Sequence, residues 1–304
     1  MNHFQARTDL ALEARESVSD ADSSLHGVIV NEEYDEEKDI RVTTVDITTK
    51  NGAKAMEKPM GRYVTIETPT LSEEDEDYHR EISECIARII HTIIPGREEM
   101  SVLVVGLGNR EVTADALGPH VVDNLAINRH MLMEYGKAAY GNKKMHTLSG
   151  LETGVMGKTG MEASEIVKGV VSQIKPDIII AVDALAARNT KRLNRTIQIT
   201  DTGIMPGSGV GNHRNALTKS NMGIPVIAIG VPTVVDGATI VIDAFERLFE
   251  EENKVCNREY MEECRKALPE LSNMYVTCKD IDAVIKRVSY TLSEGLNIAL
   301  SEKS

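Results

Sequence analysis

The chain has 304 residues, with 34 Lys and Arg against 47 Asp and Glu, a formal net charge of −13. Such an acidic field repels phosphates, and no local basic patch offsets it, so nucleic-acid binding and docking on anionic membranes are disfavoured. A hydrophobic share of 41% supports a sizeable core, but no apolar stretch approaches the roughly 18–20 residues of a membrane span; with no secretory signal at the N-terminus, a cytoplasmic protein is expected.

The first 27 or so residues are polar and aperiodic, and the acidic run from Asn31 to Asp39 reads as a solvated loop. Ile40 to Thr49 and Arg62 to Thr68 are rich in Val, Ile and Thr, and Gly52 and Pro59-Met60-Gly61 punctuate them, which predicts antiparallel strands. The charge run Glu73 to Asp77 leads into a helix on which Ile82, Cys85, Ile86, Ile89, Ile90 and Ile93 recur at the 3.6-residue period, stopped by Pro95-Gly96. From residue 101 the pattern changes. Val102 to Val105, Ile178 to Val182 and Val226 to Ile229 are continuous apolar runs, as in strands buried on both faces, and helical segments such as Ser164 to Ile174 lie between them. The expected class is α/β: a mostly parallel central sheet with helices on both faces over about residues 100–245. An additional N-terminal β-rich part precedes it, and a C-terminal helical part over about 246–304 follows, including the amphipathic stretch Asp280 to Leu300.

In open parallel sheets ligands gather beyond the carboxyl ends of the strands. Three segments stand there: Gly106 to Pro119, Asp183 to Arg188, and Gly207 to Asn212. The first has Glu111 where a dinucleotide fingerprint needs a third glycine, and the last lacks the Gly-Lys-Ser/Thr ending of a phosphate loop, so a nucleotide-dependent enzyme is a poor fit. Ser208 has Pro206 two residues before it, where a nucleophile elbow needs glycine. The four cysteines show no Cys-x-x-Cys spacing and the eight histidines no His-x-x-x-His spacing, so neither supplies a zinc site. Carboxylates remain. Asp115 and Asp183 each follow a buried strand among small or apolar neighbours and are expected to share one crevice. Two adjacent carboxylates do not readily both ionise, so one holds a proton while the other accepts one from water, an arrangement suited to hydrolysis. The same pair would also suit a divalent metal that activates water; sequence leaves both routes open.

At these residues the chain resembles the germination protease family of spore-forming bacteria. The resemblance rests on Val105-Gly-Leu-Gly-Asn109, Thr113-Ala-Asp-Ala-Leu-Gly-Pro119, Gly154-Val-Met-Gly157, Ala181-Val-Asp-Ala-Leu-Ala-Ala-Arg188, Thr196-Ile-Gln-Ile199, Pro206-Gly-Ser-Gly-Val-Gly-Asn212 and Pro225 to Asp236. It implies a core similar to hydrogenase maturation peptidases, a homotetramer, and an endopeptidase that starts the degradation of small acid-soluble spore proteins in the spore core. It also places the two essential aspartates on Asp115 and Asp183, the substrate-contacting loops at Asn109, Arg188, Ser208 and Asn212, and no metal or other cofactor as a fixed requirement, with divalent metal assistance left open. Arg110 departs from the pattern, standing where relatives often carry Trp. The family is made as an inactive zymogen trimmed at its N-terminus. Thr8-Asp9-Leu10-Ala11-Leu12-Glu13 resembles the family's target pattern, so residues 1–9 are expected to be a propeptide removed by self-cleavage between Asp9 and Leu10, leaving a peptidase domain over 10–304. Acidification is the expected trigger, because protonating clustered carboxylates removes their repulsion. The rival readings are a catalytically silent binding protein of the same fold and a nucleotide-dependent α/β enzyme.

Overall fold

In the computed structural model the described residues are 10–12, 27–73, 79–94, 96, 99–141, 143–207, 215–251, 270–271 and 274–301. One nine-stranded mixed sheet runs through them in the order β1-β2-β3-β7-β8-β6-β4-β5, with β9 paired to β8. The strands are β1 (Val28–Asp35), β2 (Ile40–Ile47), β3 (Gly61–Glu67), β4 (Ser101–Gly106), β5 (Thr147–Glu152), β6 (Ile178–Ala187), β7 (Thr196–Thr200), β8 (Val226–Asp236) and β9 (Tyr275–Val276). The apolar runs form the parallel half, β8-β6-β4-β5. The N-terminal strands continue the same sheet in antiparallel pairing, joined through β7.

The principal helices are α1 (Lys50–Met56), α2 (Arg80–Ile93), α3 (Leu117–Asp123), α4 (Ala163–Ile174), α5 (Gly237–Glu251) and α6 (Ile281–Leu300). The larger core lies on one face. There Ile82, Ile86 and Ile90 of α2 and Val288, Leu292 and Leu296 of α6 pack on Val64, Val104, Ile180, Ile197 and Ile229. On the opposite face Val167 of α4 covers Leu103, Val105, Ile179 and Ala181. Further along that face, Met56 of α1 and Ala11 pack on Val45, Ile47 and Tyr63.

Three expectations need correcting. The run read as a loop, Asn31 to Asp39, lies largely in β1, an exposed edge strand whose eight residues all pair with β2. Strand Ile178 to Val182 does not stop before Asp183 but continues to Ala187. The polar N-terminal stretch is not structureless throughout, since Leu10, Ala11 and Leu12 are buried; three apolar residues are too few to show a period but enough to fill a groove.

Candidate active site

The chain leaves β4 through Gly106-Leu107-Gly108, and the geometry there explains the glycines. A Cβ on Gly106 would stand 2.3 Å from the carbonyl oxygen of Gly118, so α3 packs directly on the strand end. Leu107 N–H donates to the Val182 carbonyl at 2.8 Å, tying the loop to β6. Gly108 has φ +109°, and a Cβ on it would lie 2.0 Å from the carbonyl oxygen of Asp115. The loop therefore folds back on Asp115, whose Oδ2 accepts the Asn109 N–H at 2.8 Å. Asp115 closes a 3₁₀ turn over Thr113–Asp115 that is held from two sides. Thr233 Oγ1 of β8 donates to the Ala114 carbonyl at 2.6 Å, and Thr113 Oγ1 donates to Asp282 Oδ1 at the start of α6 at 2.8 Å.

Asp183 sits inside β6, 5% exposed and paired in register with Gly230 of β8. Its Oδ1 accepts the N–H of Ala184 at 3.0 Å. Beyond it the register with β8 shifts between Leu185 and Ala186, and this irregularity opens the sheet face next to the acid. Asp115 and Asp183 line one cavity of about 340 Å³, together with Thr153, Ala163, Leu185, Met205 and Tyr275. The position follows from topology. The β4-to-β5 connection carries α3 on the face of the larger core, and the β5-to-β6 connection carries α4 on the other face, while β5 and β6 flank β4 on opposite sides. The crevice between β4 and β6 is thus a switch point, where open α/β sheets bind their ligands.

Asn109 contributes its backbone N–H to Asp115, while its side chain turns inward on its own loop and accepts Glu111 N–H at 3.1 Å. Arg188 follows β6 directly, is half-buried, and is not among the residues lining the cavity. Ser208, Asn212 and Asp9 lie outside the described residues, although Met205, Pro206 and Gly207 line the cavity. Leu10 is fully buried. Arg110 is drawn off by a fork of carboxylates: Nη1 and Nη2 donate to Asp123 at 2.8 and 2.9 Å, Nε donates to Glu152 Oε2 at 3.0 Å, and Nη2 also meets Glu152 Oε1. These bonds raise the Arg110 pKa, and the Arg110 hydrogen bonds hold the Asp123 carboxyl below the usual carboxylate range. Sequence reasoning assigned no role to Thr233 or Gly108, although both lie in motifs that carry the family resemblance. Among the described residues no three His, Cys, Asp or Glu side chains stand together so as to hold a metal ion.

The profile of the germination protease family, peptidase family A25, matches residues 5–267. The chain belongs to the germination protease family. Relatives described as germination proteases include those of Caldanaerobacter subterraneus subsp. tengcongensis, 45% identical over 97% of this chain and 94% of its own length, and Clostridium perfringens, 42% identical over 98% and 95%. That of Bacillus velezensis is 39% identical over 100% of this chain and 95% of its own. Among solved structures, the [NiFe] hydrogenase maturation protease HycI of Thermococcus kodakarensis aligns with 68% of this chain and 98% of its own, at 15% identity and a TM-score of 0.33. By family, then, this germination protease relative is a peptidase. No helix among its described residues is long and apolar enough to cross a membrane.

Proposed function

We propose that the chain is an endopeptidase that initiates the degradation of small acid-soluble spore proteins during germination, with Asp183 as its acid and Asp115 as its base. The observation that carries this reading is their convergence, one from the 3₁₀ turn that follows β4 and one from within β6, on one cavity at the switch point of the sheet. Burial disfavours a charged carboxylate, so Asp183, the more buried of the two, keeps the shared proton. Both carboxylates accept a backbone N–H, so exposure is what separates them, and Asp115, the more exposed, is the one that ionises. Asp115 takes a proton from the attacking water while Asp183 donates to the scissile carbonyl oxygen. Collapse of the tetrahedral intermediate then passes the Asp115 proton to the leaving amine and returns the other to Asp183.

The chain is further proposed to be a zymogen whose residues 1–9 are removed by its own cleavage between Asp9 and Leu10, with acidification as the trigger. The test is direct. Purified full chain and its Asp183→Asn variant are incubated at low and neutral pH and their intact masses followed; the processed protein is then given a small acid-soluble spore protein, with and without a chelator. Loss of residues 1–9 in the wild type alone, strongest at low pH, and subsequent substrate cleavage are expected. Asp115→Asn and Asp183→Asn should each lower kcat by about a thousandfold or more while the thermal midpoint stays near wild type, because the amide keeps the shape but moves no proton. Near-wild-type turnover in either variant removes that residue from the pair. Cleavage abolished by the chelator would favour metal assistance, and equal trimming of wild type and variant would assign the cut to another protease.

A further inference from the structure

Row by row across the sheet, Thr65 of β3 pairs with Gln198 of β7, Gln198 with Gly230 of β8, and Gly230 with Asp183 of β6. Residues directly paired in a sheet share a face. All four therefore lie on the face that carries α4, and Gln198 stands two strand spacings from Asp183, about 10 Å between Cα atoms. Ala11 is seated on this row: Gln198 Oε1 accepts its N–H at 2.6 Å, and Ala11 packs with Val45, Ile47, Met56 and Tyr63. Leu10 and Ala11 are completely buried and Leu12 is 7% exposed.

Three features make this an address for a peptide rather than ordinary core. Gln198 is a polar side chain, 7% exposed, whose oxygen meets a backbone donor 187 residues distant in sequence. Thr65 Oγ1, its neighbour in the row and face, is buried with no hydrogen-bond partner among the described residues. Gly230, between Gln198 and Asp183, has no side chain, and Leu185, which itself lines the cavity of the two acids, fills the space over it.

We infer that the Thr65–Gln198–Gly230 row is the binding site for residues that follow a scissile bond, and that Gln198 determines specificity there by accepting the backbone N–H of the second residue after the cut. The ligand class is a peptide with an apolar residue, then Ala, then a second apolar residue, and Leu10–Leu12 is the copy seated there. The inference rests on the proteolytic reading of the Asp115–Asp183 cavity. Ala11 and Leu12 begin a helical turn, so the Ala11 N–H is one of the donors a helix cannot satisfy internally, and Gln198 supplies the acceptor. Proline or an N-methyl group is tolerated at such a position by the helix itself. Removing that one N–H therefore isolates the Gln198 contact.

The probes are a blocked Thr-Asp-Leu-Ala-Leu-Glu peptide and its twin N-methylated at the alanine. Full-chain Asp183→Asn, which is not expected to trim itself, is compared with the same protein carrying Ala11→Pro, which weakens its own tethered occupant. Ala11→Pro should tighten binding of the unmodified peptide by roughly tenfold, the size of one buried hydrogen bond. N-methylation of the peptide, or Gln198→Ala in the protein, should each remove that gain, and the two together should do no more than either alone. Equal binding of the two peptides by the Ala11→Pro protein overturns the inference, as does absence of peptide binding when its thermal melt shows it folded. Where Ala11→Pro does not fold, the peptides are compared as substrates of the otherwise unaltered processed chain and of its Gln198→Ala variant. A KM raised severalfold by methylation only when Gln198 is present supports the site, and a change below twofold refutes it. Cleavage that ignores methylation and Gln198 sinks this inference and leaves proteolysis standing, whereas methylation-sensitive binding without any cleavage does the reverse.

Discussion

Gly108 shapes the candidate site as strongly as either acid does. Its positive φ and the 2.0 Å that would separate a Cβ from the Asp115 carbonyl oxygen mean that no other residue lets the loop deliver the Asn109 N–H to the carboxylate. Gly108→Ala should destabilise the fold by about 2–4 kcal/mol through strain and clash. It should also lower kcat/KM by about a hundredfold by displacing Asp115. Urea unfolding and peptide hydrolysis on the same preparation check both. Gly169 provides the contrast: it lies within α4, and a methyl group added there would meet nothing within 4 Å, so Gly169→Ala should raise stability by about 0.5–1 kcal/mol with activity unchanged. That the two acids share one crevice was legible in sequence because each stands in a segment that follows an apolar run, where open α/β sheets expose their strand ends. The meaning of Gly108 was not, because the residue it avoids lies seven positions on and is brought back only by the turn Thr113–Asp115.

At the scale of elements, burial on both faces made β4, β6 and β8 readable as apolar runs, and the 3.6-residue period made α2, α4 and α6 readable. The end of β6 was lost because Asp183 interrupts its run, although the strand continues through Ala184, Leu185, Ala186 and Ala187 in contact with β8. β1 was lost for the opposite reason. An edge strand needs no apolar face, and its acids are at home there, Glu32 meeting Arg41 at 2.5 Å and Tyr34 Oη donating to Asp39 at 2.8 Å. Arg110 makes a clamp between elements, joining the end of α3 at Asp123 to the end of β5 at Glu152 beside the site. Arg110 and Asp123 are 42% and 45% exposed, so solvent screening keeps the clamp small. Arg110→Ala should cost about 0.5–1 kcal/mol at pH 7. Because the Asp123 pKa is depressed in the fold, this contribution is present above the ordinary aspartate range and disappears as pH falls through the lowered value. Urea midpoints of wild type and variant should therefore differ at pH 7 and converge once the pH lies below the depressed Asp123 value; a constant gap would mean that Arg110 acts through packing alone.

Over the whole molecule, the N-terminal β-rich part that composition set apart is continuous with the parallel half of the sheet. The joint is β7, Thr196-Ile-Gln-Ile-Thr, whose alternation sends Ile197 and Ile199 into the larger core and leaves Gln198 on the face of Asp183. Five residues with alternating polarity do not announce a strand central to a sheet, so its role was not visible in advance. The same continuity bears on assembly. The C-terminal helix and the strands near residues 40–70 are the two candidates for apolar surface buried between subunits; β2 and β3 are interior strands of the sheet, and Val45, Ile47, Val64 and Ile66 are already buried within the chain. Apolar surface remains elsewhere: Tyr290 and Ile298 on α6 are 40% and 39% exposed, and Ile29 on the edge strand β1 is 60% exposed. Tyr290 and Ile298 are eight residues apart and so fall on one helical stripe. If the homotetramer that the family resemblance implies forms, we expect it to bury this stripe of α6, with light scattering giving four times the 33.4 kDa chain. Tyr290→Glu with Ile298→Glu should place charge in the interface and reduce the mass to that of a dimer or single chain, while Ile29→Glu, which leaves α6 intact, should not. A wild-type mass of one chain contradicts the assembly, and a tetramer that survives the α6 pair but falls apart with Ile29→Glu moves the interface to the open edge of β1, where unpaired backbone groups offer a second chain a strand to pair with.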